Sequence, residues 1–191
     1  MPDAWKSEAG AGRQVLFIHG AGPGAHEADS KLAASLQSEL GGGWDVACPK
    51  LPEDRPEVQL WTSELSKACA CCHQPVFFVG HSFGGSLLLK YLSEEPTPPR
   101  TAGIFIIAAP YWGAGGWSGQ QYALSDDFAS KLPRQARVFL YQGRDDSVVP
   151  FAHLALYREK LPQAQVRELV GRDHQLNDDL SETARDIQGL V

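Results

Sequence analysis

A doubly wound α/β fold, with a mostly parallel six-stranded sheet and helices on both faces, is predicted by two observations. Six short apolar runs of strand length alternate along the chain with longer segments whose apolar residues recur at helical spacing. One of these runs, PVFFV, passes straight into helical sequence through Gly80-His81-Ser82-Phe83-Gly84, the G-x-S-x-G spacing of a strand–turn–helix elbow. Strands buried on both faces read as continuous Val, Ile, Leu and Phe runs rather than as alternating ones, which is the pattern here.

Taken in order, residues 13–19 (RQVLFIH) form the first strand and end in Gly20-Ala21-Gly22-Pro23-Gly24. Leu32, Leu36 and Leu40 mark a helix over residues 27–40, stopped by Gly41-Gly42-Gly43. WDVACPK is the second strand; the turn-rich PKLPEDRP follows, and a helix begins near Glu57 with Leu60, Trp61, Leu65 and Ala68 on one face. Residues 75–79 are the third strand, and Leu88, Leu89 and Leu92 give the helix after Ser82 its spacing. Pro96-Thr97-Pro98-Pro99 breaks the chain before the strand AGIFIIAAP. ARVFLYQG, a helix in FAHLALYREKL, the strand AQVRELV and a closing helix from about residue 178 to 190 complete the alternation. The chain, residues 1–191, reads as one domain, with residues 1–12 a loose N-terminal segment and neither internal repeat nor linker.

A domain of this length buries roughly 70% of the surface its unfolded chain exposes, so no disulfide staple is required. The 17 basic and 23 acidic residues give a net charge of −6, which argues against nucleic acid as a partner. The first residues, MPDAWKSEAGAGRQ, lack a basic start and an apolar core, and no later run approaches a membrane span. A cytoplasmic protein without a membrane partner is therefore expected. Cys48, Cys69, Cys71 and Cys72 are read as free thiols, as a reducing compartment favours. The crowding of Cys69, Cys71, Cys72 and His73 suggests a metal knuckle, but zinc sites draw two separated ligand pairs. No metal and no cofactor is expected.

In an elbow of this kind Ser82 sits at the tip of a strained turn. Gly80 and Gly84 let strand and helix pass each other there, and the helix N-terminus points at any charge developing beside the hydroxyl. Phe83 supplies one backbone N–H. The glycine loop after the first strand has two readings. GAGPGA fits a dinucleotide fingerprint, but the acid expected at the end of the next strand is missing, since Cys48-Pro49-Lys50 stands there. The other reading is an oxyanion loop with Ala21 as second N–H donor.

A serine hydroxyl needs a base. Of the six histidines, His174 lies in GRDHQLND, a polar turn after the last strand, from which a side chain reaches back across the strand ends. His19 and His81 belong to the strand-end motifs, where packing and bonding to loop backbone are the default roles; His26 is placed to line the pocket and His153 on a helix. GRDDSVVPF supplies the acid: Asp146 is favoured as the residue orienting His174, leaving Asp145 to the turn. Gly22, His81, Tyr111, Trp112 and Trp117 are the expected substrate-contacting residues. Tyr111, Trp112, Trp117 and Tyr122, among four glycines, read either as a mobile aromatic wall or as a cover over the sheet.

The HGAGPG loop, GHSFGG, GRDDSVVP and GRDHQLN together resemble the α/β-hydrolase superfamily, in the chain order Ser82, Asp146, His174. In its small size and lack of a large cap the chain resembles the retinoblastoma-binding-protein-9-like serine hydrolases. That resemblance implies a minimal α/β-hydrolase fold beginning at the third strand of the full fold. It also implies Asp146 as triad acid, His174 as base, and Ala21 as oxyanion donor. The implied activity is hydrolysis of small carboxylic esters through an acyl-enzyme; the alternatives are a hydrolase-fold interaction protein with little catalysis and, on GAGPGA alone, a nucleotide-binding oxidoreductase.

Overall fold

The computed structural model describes residues 12–72, 75–96 and 99–191. Apart from Gly12, the expected N-terminal segment lies outside these residues, as does His73. The described chain runs β1 (Arg13–Ile18), α1 (Ala25–Leu40), β2 (Trp44–Ala47), α2 (Val58–Ala70), β3 (Val76–His81), α3 (Ser82–Glu94), β4 (Thr101–Ile107), α4 (Phe128–Lys131), β5 (Arg137–Gly143), α5 (Ala152–Lys160), β6 (Gln165–Leu169) and α6 (Ser181–Gln188). The six strands form one sheet in the order β2-β1-β3-β4-β5-β6, and every pairing is parallel.

Each central strand feeds both faces, because successive side chains point to opposite sides. Leu16, Ile18, Val76, Phe78, Ile104, Ile106, Val138 and Leu140 pack on α2, α3, α4 and α5 through Trp61, Leu65, Leu88, Phe128 and Leu154. Val15, Phe17, Phe77, Val79, Phe105, Ile107, Phe139 and Tyr141 pack on α1 and α6 through Leu32, Leu36 and Ile187. The chain steps outward from β1 to β2 and returns to the other side of β1 with β3. The carboxyl ends of β1 and β3 therefore flank the point where strand order reverses, the place where open α/β sheets bind ligands.

Two local departures from the sequence expectations have simple causes. The closing helix begins at Ser181 rather than near Asp178, because Leu176, Asn177 and Asp178 form a left-handed turn with φ of 50°, 56° and 55°. The long connection after β4 holds a 3₁₀ turn over Gln120–Tyr122 and the short α4, too brief for a periodicity to reveal. Cys71 and Cys72 turn their Sγ atoms to the carbonyls of Lys67 and Ala68 one helical turn back. Among the described residues no three His, Cys, Asp or Glu side chains are grouped to hold a metal ion.

Candidate active site

The elbow is built by close approach of backbones. An added Cβ at Gly84 would lie 2.2 Å from the His19 carbonyl oxygen, and one at Gly80 would lie 2.7 Å from Gly85 Cα. Both glycines are required for β3, α3 and β1 to pass at this distance. Ser82 itself has a φ of 52°, the left-handed region that a side chain enters only under constraint. Phe83 is held among Trp61, Tyr122 and Trp112, with ring centroids at 5.0, 5.1 and 6.2 Å. Its N–H belongs to the first turn of α3, where no intrahelical acceptor is available.

His174 reaches Ser82 from the loop after β6. Its Nε2 lies 3.1 Å from Ser82 Oγ and its Nδ1 lies 2.9 Å from Asp146 Oδ2. The carboxylate that meets His174 is that of Asp146, whose side chain is fully buried. Its Oδ1 accepts the N–H groups of Val148 and Val149, both at 2.8 Å, and its Oδ2 accepts the Gln142 side-chain amide at 2.6 Å. Burial alone would raise the Asp146 pKa; the bond to His174 and those two amides outweigh it and hold the carboxylate below its ordinary range. Asp145 is exposed, and its backbone N–H donates to the Arg172 carbonyl at 3.1 Å. Gly143 lets that contact form, since a Cβ there would fall 2.2 Å from Arg172 O.

The loop after β1 lies against the elbow: a Cβ at Gly20 would be 3.7 Å from Ser82 Oγ. Ala21 follows directly. Gly22, with φ of 115°, donates its N–H to Glu53 O at 2.8 Å. His19 pins this loop from below. Its Nδ1 donates to Gly20 O at 2.6 Å and its Nε2 accepts the Leu51 N–H at 2.9 Å, an arrangement that requires a neutral ring. Burial drives the His19 pKa down accordingly. His26 bonds the Cys48 carbonyl at 3.2 Å rather than opening toward a pocket.

His81 corrects the sequence expectation. It is 1% exposed, with Nδ1 2.8 Å from Asp29 Oδ2 and Nε2 2.9 Å from the His174 carbonyl oxygen. A ring buried in this way has no face for substrate. Of the two readings of the aromatic segment, the cover over the sheet is the one its packing favours, with Tyr111, Trp112 and Tyr122 partly buried against the core. Trp117 N–H bonds Tyr111 O and Gly113 N–H bonds Trp117 O, both at 2.9 Å. Trp112 Nε1 donates to Ser86 Oγ on α3 at 3.0 Å, and the Tyr111 N–H donates to His153 Nδ1 at 2.7 Å. Tyr111 packs edge to face on Tyr157 and Trp117 on His153, so these rings form a tethered cluster. Tyr111 and Trp112 line a cavity of about 310 Å³ with Leu156 and Lys160. Asp29 and Gln142 were not singled out from the sequence, because neither stands in a motif.

A sequence model described as the alpha/beta hydrolase family matches residues 15–187. The chain belongs to the alpha/beta hydrolase family. No curated protein sequence matches it significantly. Solved structures of similar fold include a serine hydrolase of Cycloclasticus zankles, at a TM-score of 0.74 and 14% identity over 93% of this chain and 89% of that one. A meta-cleavage product hydrolase of Pseudomonas fluorescens IP01 gives a TM-score of 0.73 and 17% identity, over 95% and 91% of the two chains. The ydeN gene product of B. subtilis gives 0.69 and 18%, over 93% and 98%. At these identities the likeness is one of fold, and the hydrolase fold of this chain is the minimal one.

Proposed function

We propose that this alpha/beta hydrolase is a serine hydrolase that cleaves small carboxylic esters through a Ser82–His174–Asp146 triad and an acyl-enzyme intermediate. The observation that supports this reading is the continuous hydrogen-bonded chain from Ser82 Oγ through both His174 nitrogens to Asp146. His174 Nε2 takes the proton as Ser82 Oγ attacks the ester carbonyl. Asp146 holds the tautomer in which Nδ1 carries its proton and stabilises the imidazolium that forms. The oxyanion of the tetrahedral intermediate is received by the N–H groups of Phe83 and Ala21, with the α3 N-terminus adding its dipole. His174 then protonates the departing alkoxide, and a water activated by the same nitrogen releases the acid. No step calls for a cofactor or metal.

Tyr122 and Trp112, packed edge to face on Phe83, stand next to the proposed oxyanion donor and, with Gly22 on the loop after β1, face substrate in this reading. With only residues 108–127 between β4 and α4, small or accessible esters are the expected substrates. The loop motifs and size favour the retinoblastoma-binding-protein-9-like group within the family. The described residues contain no helix long and apolar enough to cross a membrane. The net charge of −6 and the free cysteines support a cytoplasmic enzyme acting on small molecules.

Turnover of p-nitrophenyl esters of increasing acyl length tests the reading. Hydrolysis of the acetate by the wild-type chain, with loss to background in Ser82→Ala, is expected. No turnover of any ester by folded wild-type protein would sink it and favour a hydrolase-fold interaction protein.

A further inference from the structure

Beneath the site lies a second aspartate–histidine pair that takes no part in the proton transfers above. Asp29, on α1, and His81, the residue before Ser82, have side chains only 1% exposed, and Oδ2 of one is 2.8 Å from Nδ1 of the other. The His81 Nε2 faces the His174 backbone oxygen at 2.9 Å. A carbonyl oxygen only accepts, so Nε2 carries a proton. Asp29 Oδ2 accepts the Gly20 N–H at 2.7 Å and Oδ1 accepts the Gln175 side-chain amide at 3.2 Å, surroundings that suit a carboxylate. Nδ1 must then be a donor as well, and a ring with two donors is an imidazolium. His19, one strand away, has one acceptor and one donor partner and is neutral by the same count.

The charges facing His81 agree. Burial disfavours its cation, but the Asp29 charge and hydrogen bond, the His174 carbonyl and the more distant Asp146 outweigh burial and hold the pKa above the ordinary histidine value. The His174 ring stands 4.8 Å away, tilted. Three segments converge on the pair: the loop after β1 through Gly20, the elbow through His81, and the loop after β6 through His174 and Gln175. That last loop carries the left-handed run Leu176, Asn177 and Asp178, a conformation that persists only where surrounding contacts over-determine it.

We infer that Asp29 and His81 form a charged positioning pair that fixes the His174 backbone carbonyl and, through Gly20, the oxyanion loop, keeping base and oxyanion donor in register with Ser82. Asp29 and His81 touch no reacting atom; they act through His174 and Gly20. The role rests on the hydrolase reading, whereas the charge state of His81 does not.

Two measurements on the full chain test it. In protein carrying ¹⁵N-labelled histidine, with the His81 signals assigned through His81→Gln, both His81 ring nitrogens should remain protonated from about pH 6 to 8. A single protonated nitrogen at neutral pH would overturn the proposal. In kinetics normalised to titrated active sites, Asp29→Ala and His81→Ala should lower kcat and fluorophosphonate labelling by about 100-fold with little change in KM, as for a displaced catalytic group. Asp29→Asn keeps an oxygen for Gly20 and His81 and removes the carboxylate charge. It should recover activity to within about tenfold of wild type, the difference between a charge-assisted and a neutral hydrogen bond. Folded alanine variants with wild-type kcat per site would show the pair to be merely structural and refute the inference. Where the alanine variants do not fold, Asp29→Asn decides through its spectrum: without the carboxylate charge His81 should lose one ring proton at neutral pH, and an unchanged spectrum would refute the pairing. Wild-type protein that neither labels nor turns over esters would refute the hydrolase reading and the positioning role together, which separates that failure from loss in the variants alone.

Discussion

At the scale of single residues, Asp145 and Asp146 show how an adjacent pair of identical side chains divides into unlike roles. Asp146 is fully buried and its two oxygens accept from Val148, Val149, Gln142 and His174, whereas Asp145 is exposed. Asp146→Asn should therefore lower kcat by up to about 10⁴-fold, because an amide no longer selects the His174 tautomer, while Asp145→Asn stays near wild type. Steady-state kinetics of the two variants on one ester checks this, and the reverse ranking would reassign the acid. Ser82, Asp146 and His174 were legible in the sequence because each stands in a short pattern at a strand end. Asp29 was not, since its partner His81 is 52 residues away and no local spacing links them. Gln142 was hidden for a different reason: it lies inside an apolar strand run, although its partner Asp146 is only four residues on. His81, read as a substrate contact from its place beside Ser82, points away from the surface because residues alternate along β3 into the elbow.

At the scale of elements, the elbow is a crossing of β1, β3 and α3 whose separation only glycine permits. Gly84→Ala would force a methyl against the carbonyls of Ile18 and His19, at 2.5 and 2.2 Å, and should cost about 3 kcal/mol of stability as overpacking against rigid backbone. Gly42→Ala meets nothing within 4 Å and should fall within about 0.5 kcal/mol of wild type. Denaturant midpoints of the two variants measure the contrast; equal midpoints would contradict the close crossing. The central strands and the long helices were legible because each has a full period of buried residues. The aromatic connection after β4 was not, because its order comes from individual contacts, Trp112 on Ser86 and Tyr111 on His153, rather than from periodicity.

At the scale of the molecule, the all-parallel sheet with two filled faces follows from continuous apolar strand runs, which leave no face for water. The order β2-β1-β3-β4-β5-β6 brings the ends of β1, β3, β5 and β6 to one edge, and the functional side chains gather there. The same burial sets the pH dependence of stability. His19 and His153 have pKa values lowered chiefly by burial, so their stabilisation is lost as pH falls below 6.5, and that of the depressed Asp29 and Asp146 is lost below 3.8. His81, raised by Asp29 against the opposing effect of burial, loses its contribution as pH climbs above 6.5. Half-buried Cys48 and buried Cys69, both pushed up by desolvation to about 12, add a loss above 9.0. Thermal unfolding should thus be most resistant near pH 6.5, and His81→Gln should flatten the arm just above it. The central claim is that Ser82 is the nucleophile, and locating the covalent adduct by mass spectrometry after fluorophosphonate treatment tests it most directly. A single adduct on the peptide containing Ser82, absent from Ser82→Ala, is the expected result; an adduct on another residue, or none on folded protein, would contradict it.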